Sequence, residues 1–286
     1  MIFLVLWVAI GDISLGDEIT SVKSMVKTKK YLYLLDYQQK TIWKTNLMGK
    51  ITAYHNKTGS GPGEMNRVLR LRQGEGQLLV IDTFKRELML FDEDLQFKGS
   101  IRTSGLLRDA LIRNGITYLV YYDTSSGKMI HCRNNNSKEN VGDFGEGLSS
   151  PRLLGFQDAF IVPFKEELIY VHTFKPVVYF FDLKGKLIQE VKMPGLEGQL
   201  MDESHYDKKE MVHLFIADVF VSKQRLFVKL GDSQTGLSYL YSYDIESGEF
   251  EKRKLCPYFT VSDQDGHLYE IVRNQFEEVN SLKLLF

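Results

Sequence analysis

Six histidines, two cysteines and a scatter of carboxylates are the groups in this sequence that could hold a metal, activate water or attack a substrate. The histidines are His55, His131, His172, His205, His213 and His267. None falls in the HxH, HxxxH or HExxH spacing that puts two imidazoles on one face, so no local zinc site is expected. His205 and His213 flank a polar stretch and could meet only through the fold. Cys132 and Cys256 lack CxxC partners and read as small half-buried hydrophobes. Sequence leaves a disulfide between them open, because that depends on a Cα separation below about 7 Å. On a strand, His131 and Cys132 point to opposite faces, so they form no catalytic dyad. A GxSxG nucleophile elbow is absent. The acid pairs Asp92 with Asp94 and Glu277 with Glu278 read as solvated turn residues.

Gly59-Ser-Gly61-Pro62-Gly63-Glu64 is the richest glycine run. It lacks the GK[ST] ending of a phosphate loop, and no GxGxxG opens a helix, so no nucleotide or other cofactor is expected. Pro62 presets φ and Gly63 tolerates φ > 0, the pair a type II turn requires. A looser version spans Gly142, Gly145 and Gly147, with Pro151 beyond.

Elements must bring such scattered groups together, and composition says which kind. The 286 residues carry 36 basic and 37 acidic side chains, a net charge of −1, which argues against a nucleic-acid partner. Phe 18, Tyr 15 and Trp 2 against only 6 prolines suit many half-buried strands. The opening run, residues 1–10, is apolar but has no preceding Lys or Arg, no small-residue cleavage site and no following cysteine. It therefore reads as a buried strand and not as a signal peptide or lipobox, the alternative being a start inside a longer precursor. No stretch approaches the roughly 20 apolar residues of a membrane span.

The clearest unit runs over 67–103, where four apolar-alternating runs are separated by short polar turns. This pattern predicts a four-stranded antiparallel meander. Degraded copies recur, with second strands ending at Asp36, Asp82, Asp123, His172, Gly231 and Arg273. Six meanders at roughly 40–60-residue intervals predict an all-β, six-bladed β-propeller, one domain over 1–286. A longer gap holds the polar segment 197–211, expected as a loop outside the packed blades. The last unit supplies only three strands. The spare apolar run 3–10 is expected to pair with 279–286 and close the ring, since an open edge invites aggregation.

The 59–64 loop, followed by an inner strand and LLVIDTFKRELMLFDEDLQFKGSI, resembles the NHL-type repeat of bacterial six-bladed propellers. The likeness is strongest over 59–103 and weakest at the third blade. Met65 stands where the motif has an aromatic, and His172 where it has Asp. The resemblance implies a ligand- or partner-binding scaffold, often periplasmic or in the cell envelope.

Inner strands are expected at 20–26, 67–73, 107–113, 153–160, 215–221 and 257–262. Their polar residues are Lys23, Arg67, Arg70, Arg72, Arg108, Asp109, Arg113, Asp158 and Asp218. Three acids on three blades could converge on a metal at the axis, but the arginines in the same layer point to mutual ion pairing. The same arginines could form a basic collar for a carboxylate or sulfated ligand. The expected function is a non-catalytic scaffold offering a loop rim to a peptide, glycan or protein partner. The alternative is a metal-dependent hydrolase or lyase with its site at the central opening.

Overall fold

A computed structural model describes residues 13–147, 158–196, 200, 214–235, 238–256, 260–262, 268–273 and 279–284. Among these, 24 strands form six four-stranded antiparallel sheets, and no helix occurs. Blade one is β2 (Val22–Lys27), β3 (Tyr31–Asp36), β4 (Thr41–Asn46) and β5 (Ile51–His55). Blades two to five repeat that order, with first strands β6 (Val68–Gln73), β10 (Asp109–Arg113), β14 (Ala159–Phe164) and β18 (Leu214–Ser222). β2, β6, β10 and β14 each pack against the first strand of the next blade, so the first strands line the axis. Five of the six expected inner strands agree within a few residues at their ends. The fourth starts later, at Ala159, and runs through Pro163. An inner strand is a sheet edge facing the channel, where proline gives up no ladder donor.

The strands alternate direction, so every first strand begins on one face of the ring, here called upper. The second-to-third turns and the blade-to-blade connections share that face. Asp36 and Asp82, wholly buried, end their second strands there and gather backbone donors. Asp82 accepts from the N–H of Asn66 (2.6 Å), Arg67 (3.2 Å) and Lys85 (3.0 Å). Asp36 does the same for Thr20, Ser21 and Gln39. His172 occupies the corresponding place in blade four, where its Nδ1 accepts from the N–H of Phe174 at 3.1 Å. Burial and then the nearby Lys175 push its pKa down to about 3, so the ring is a neutral stand-in for the aspartate. On the lower face Asn46, Asp92 and Asp182 each accept two N–H groups of the following hairpin turn at 2.8–3.0 Å. Asp94, in one of those turns, also reaches across to the buried Lys44 of blade one at 2.8 Å.

The core is a set of wedges between blades. Tyr33, Leu35 and Ile42 of blade one pack against Leu71, Val80 and Met89 of blade two. Tyr33 Oη donates to the Glu93 carbonyl of blade two at 2.8 Å, and Tyr118 of blade three reaches Leu183 of blade four likewise. The 59–64 loop is part of this stitching. Glu64 N donates to Gly61 O at 3.1 Å with φ of +72° at Gly63, as a type II turn needs. His55 and Lys85 donate to the loop's carbonyls, Lys85 to both Gly61 (3.0 Å) and Glu64 (2.9 Å). A Cβ at Gly63 would collide with Phe97.

Chain ends close the ring, as expected. The sixth sheet is ordered β1 (Ile13–Ser14), β24 (Val279–Leu284), β23 (Leu268–Arg273) and β22 (Thr260–Ser262). Ile13 faces Leu282 in antiparallel register. The run 3–10 lies outside the described residues; the observed clasp is Ile13–Ser14. Ile13, Leu15, Ile19, Tyr269 and Leu282 form one buried cluster with blade one. Ile13→Ala should therefore lower stability by about 2 kcal/mol, the low end for a buried aliphatic truncation. Urea unfolding should show a single transition at a lower midpoint; an unmoved midpoint would mean that this clasp does not hold the ring. Of the segment 197–211 only Leu200 is described. It is buried, bridges Leu214 and packs in the blade four–five core, so at that residue the expectation of an unpacked loop fails.

Candidate functional site

The channel narrows to a waist built by blades two and three. Arg72 binds Asp109 in a bidentate fork, Nε to Oδ1 and Nη2 to Oδ2, both at 2.9 Å. Asp109 Oδ2 also accepts from Ile161 N of blade four (3.1 Å) and lies 3.4 Å from Arg70 Nη1. Burial alone would raise the Asp109 pKa, but the guanidiniums of Arg72 and Arg70 bring it below the usual carboxylate range. Asp109, Asp158 and Asp218 occupy one position in successive blades, and each accepts the N–H of its own next residue at 2.9 Å. Asp158 lies 3.7 Å from Arg70 Nη2. Asp218 stands opposite Lys229 of β19 (Arg225–Asp232) at a β-bulge, and its charge also reaches Arg72. Ion pairing thus takes up Asp109 and Asp158 as expected. Among the described residues no three His, Cys, Asp or Glu side chains form a metal-binding group.

Above the waist the channel widens to an upper cavity of about 220 Å³ lined by Lys23, Arg70, Arg72, Asp158, Thr173 and Lys229, with Phe160 and Phe215 as apolar wall. Below it, a cavity of about 330 Å³ is walled by Val26, Leu111, Val162, Pro163 and Phe220. Arg72 borders both. The upper mouth is cation-rich; the lower is mainly apolar, with Arg72 and Gln73 as its polar side chains. Arg70 Cζ stands over the Phe160 ring, 4.3 Å from its centroid, a cation–π contact. Lys23 stands at the rim over the Tyr37 ring at 4.2 Å. Withdrawal from bulk water at the wall, then Arg70 and Arg67, lower its pKa.

The expected basic collar is therefore reduced. Lys23, Arg70 and Arg72 meet in the upper cavity. Arg67 lies outside it, in a groove between blades one and two beside the exposed aromatics Tyr37 and Phe84. Arg113 sits at the opposite end of its strand, bound to Lys165 and Glu166 on the lower face. Arg108 does not line the cavity, and its buried Nε has no partner among the described residues. Three polar lining residues were absent from the sequence-based set: Ser24, an inner-strand hydroxyl bonded to the Leu71 backbone, and Thr173 and Lys229, which sit at or beyond second strands. Thr173 had a signal: it follows His172 as Thr83 follows Asp82. Thr83 Oγ1 donates to the Leu107 carbonyl at 2.8 Å, whereas Thr173 Oγ1 has no partner among the described residues.

Sequence alternation holds at the remaining candidates. His131 bonds Asp143 (2.9 Å) and the Tyr121 carbonyl (3.1 Å), while Cys132 turns into the core. Cys132 is a free thiol, with burial and then Asp143 pushing its pKa up to about 12. His205, His213, His267, Glu277 and Glu278 lie outside the described residues.

No family model and no curated protein matches the chain. Solved structures do. A Bacteroides fragilis protein provisionally described as exported superposes with a TM-score of 0.68 at 13% identity, over 96% of this chain and 93% of that one. A Bacteroides vulgatus member of the DUF4221 family gives 0.66 at 11% identity, over 96% and 95%. Virginiamycin B lyase from Staphylococcus aureus, solved with quinupristin, gives 0.57 at 12% identity, over 95% and 87%. At such identities the likeness carries the fold alone.

Proposed function

We propose that the chain is a binding scaffold without a reaction of its own, whose binding end is the upper face and its central mouth. The observation that carries this is the asymmetry of the channel. Its cations gather at the upper mouth, and the wholly buried acid beneath them, Asp109, is engaged by two arginines and two backbone amides, while Asp158 lies within ion-pair distance of Arg70. The rigid ring holds those groups still, while connections on the same face supply variable loops. Exposed Phe84 and Tyr37 beside the mouth extend the surface toward a larger occupant, such as a peptide, glycan or protein. The likeness of 59–103 to NHL-type repeats supports the same reading. With the exported Bacteroides neighbour, it also supports a place in the periplasm or cell envelope. Among the described residues no helix is long and apolar enough to cross a membrane.

Ala217, half-buried at the bulge of β18, lines the mouth and offers a direct test. A thermal-shift screen of small metabolites and short oligosaccharides should yield ligands whose shift disappears in Ala217→Trp, where an indole fills the mouth. Ligands that stabilise the variant as well as the wild type would remove the upper mouth as the binding end.

A further inference from the structure

Three regions outside the stitched core offer polar groups that the fold does not fully use: the upper cavity, the groove beside Phe84, and the His131–Asp143 pair. In the third, His131 is satisfied on both ring nitrogens. The groove is open and holds no buried polar atom without a partner. The upper cavity is different. Resting on the reading that the upper mouth is the binding end, we propose that this cavity takes a small hydroxylated monocarboxylate. Arg70, Lys23 and Thr173 would hold the carboxylate, and Asp158 would accept from a hydroxyl.

Charge comes first. Among the described residues, the cavity and the waist below it carry four cations, Lys23, Arg70, Arg72 and Lys229, against three acids, Asp109, Asp158 and Asp218. The remainder is one positive charge in a partly desolvated space, where like charge is costly and a single negative charge restores balance. A dianion would overshoot and would lose more hydration on entering.

Donor geometry comes second. Arg70 is nine-tenths buried, and its guanidinium has five N–H donors. Its acid contacts are one long hydrogen bond to Asp109 Oδ2 at 3.4 Å and an ion pair with Asp158 at 3.7 Å, which leave N–H donors for an occupant. Phe160 steadies the guanidinium by a cation–π contact, and such a fork can pair a carboxylate through two parallel N–H bonds. Thr173 is 4% exposed and its Oγ1 has no partner among the described residues, although the matching Thr83 is bonded. A buried hydroxyl left so is costly unless something that enters the cavity pairs with it. Asp158 keeps part of its carboxylate open to the cavity and can accept from a ligand hydroxyl.

Size comes third. At about 220 Å³ the cavity is smaller than the roughly 300–1,000 Å³ of pockets for drug-sized ligands, so the occupant is a compact acid.

Glycerate, glycerol, glycerol 3-phosphate and acetate share small frames and separate charge from hydroxyl content. Titration calorimetry on the full chain should show glycerate binding most tightly, with acetate and glycerol 3-phosphate weaker by about tenfold or more and glycerol not detected at about 10 mM. Lys23→Gln and Thr173→Val should each weaken glycerate by about tenfold. Thr173→Val should leave the unfolding temperature of the free protein unchanged, since that hydroxyl has no bond to lose within the fold. Equal binding of glycerol, tighter binding of the phosphate, no binding of glycerate at about 10 mM, or indifference of glycerate to both variants would each overturn the monocarboxylate. None of these removes the upper mouth as the binding end, which falls only if ligands from the broader screen ignore Ala217→Trp.

Discussion

Asp109→Ala should cost about 3–5 kcal/mol of folding stability, because it leaves Arg72 in the waist without its bonded partner and with only the more distant charge of Asp218. Arg70 keeps Asp158, but the Ile161 amide loses its acceptor as well. Replacing both members of the fork, Asp109→Leu with Arg72→Met, should recover more than half of that loss. Apolar packing there removes the desolvation cost of both charges. Urea unfolding of the single and double variants checks this; a double variant no more stable than Asp109→Ala would show that the fork contributes more than the absence of a stranded charge. The fork also predicts a pH dependence. Asp109 is held below its unfolded value near 3.9, so its contribution is complete above about pH 4 and is lost as pH falls through the folded value. The acid limb of the stability curve should be shallower in the double variant.

The second large effect is expected at Asp82, which touches neither cavity. Its carboxylate serves three backbone donors at the start of β6 and in the following turn. Asp82→Ala leaves those donors without acceptors in a wholly buried site, for about 3 kcal/mol, a fall of roughly 6–12 °C in unfolding temperature. Asp82→Asn keeps one acceptor oxygen and should lose less. Asp123→Ala is the control. That carboxylate serves Ser125 in an exposed turn, and its loss should cost under about 1 kcal/mol. Calorimetric scans of the three variants would sink the clamp assignment if Asp82→Ala and Asp123→Ala behaved alike.

The two aspartates look alike in sequence, and the repeat alignment placed Asp36, Asp82 and Asp123 together. Only the first two end their second strands. In the third blade β11 (Ile116–Val120) stops before Asp123, and the aspartate moves out into the turn. A repeat pattern locates a residue to within a turn, but a hydrogen-bond clamp depends on its position to one residue.

Alternation of apolar side chains, polar turns at two- to four-residue length and six recurrences sufficed for the propeller, its four-stranded blades and its closure by the chain ends. These are local or periodic features, and a period-2 pattern states directly which face is buried. The type II turn at Pro62–Gly63 was legible for the same reason, since it rests on the φ preferences of two adjacent residues. Which charges meet was not. Arg70 and Arg113 both belong to inner strands, yet one lies at the upper mouth and the other at the lower face. That choice depends on distance along the strand from the waist, about 3.3 Å per residue. Thr173 reaches the cavity from just past the second strand of blade four, and Lys229 from the second strand of blade five, opposite the bulge beside Asp218. Sequence by itself determined the ring; the closing of that ring decided which side chains share its centre, because contacts between blades pair residues with no fixed separation along the chain.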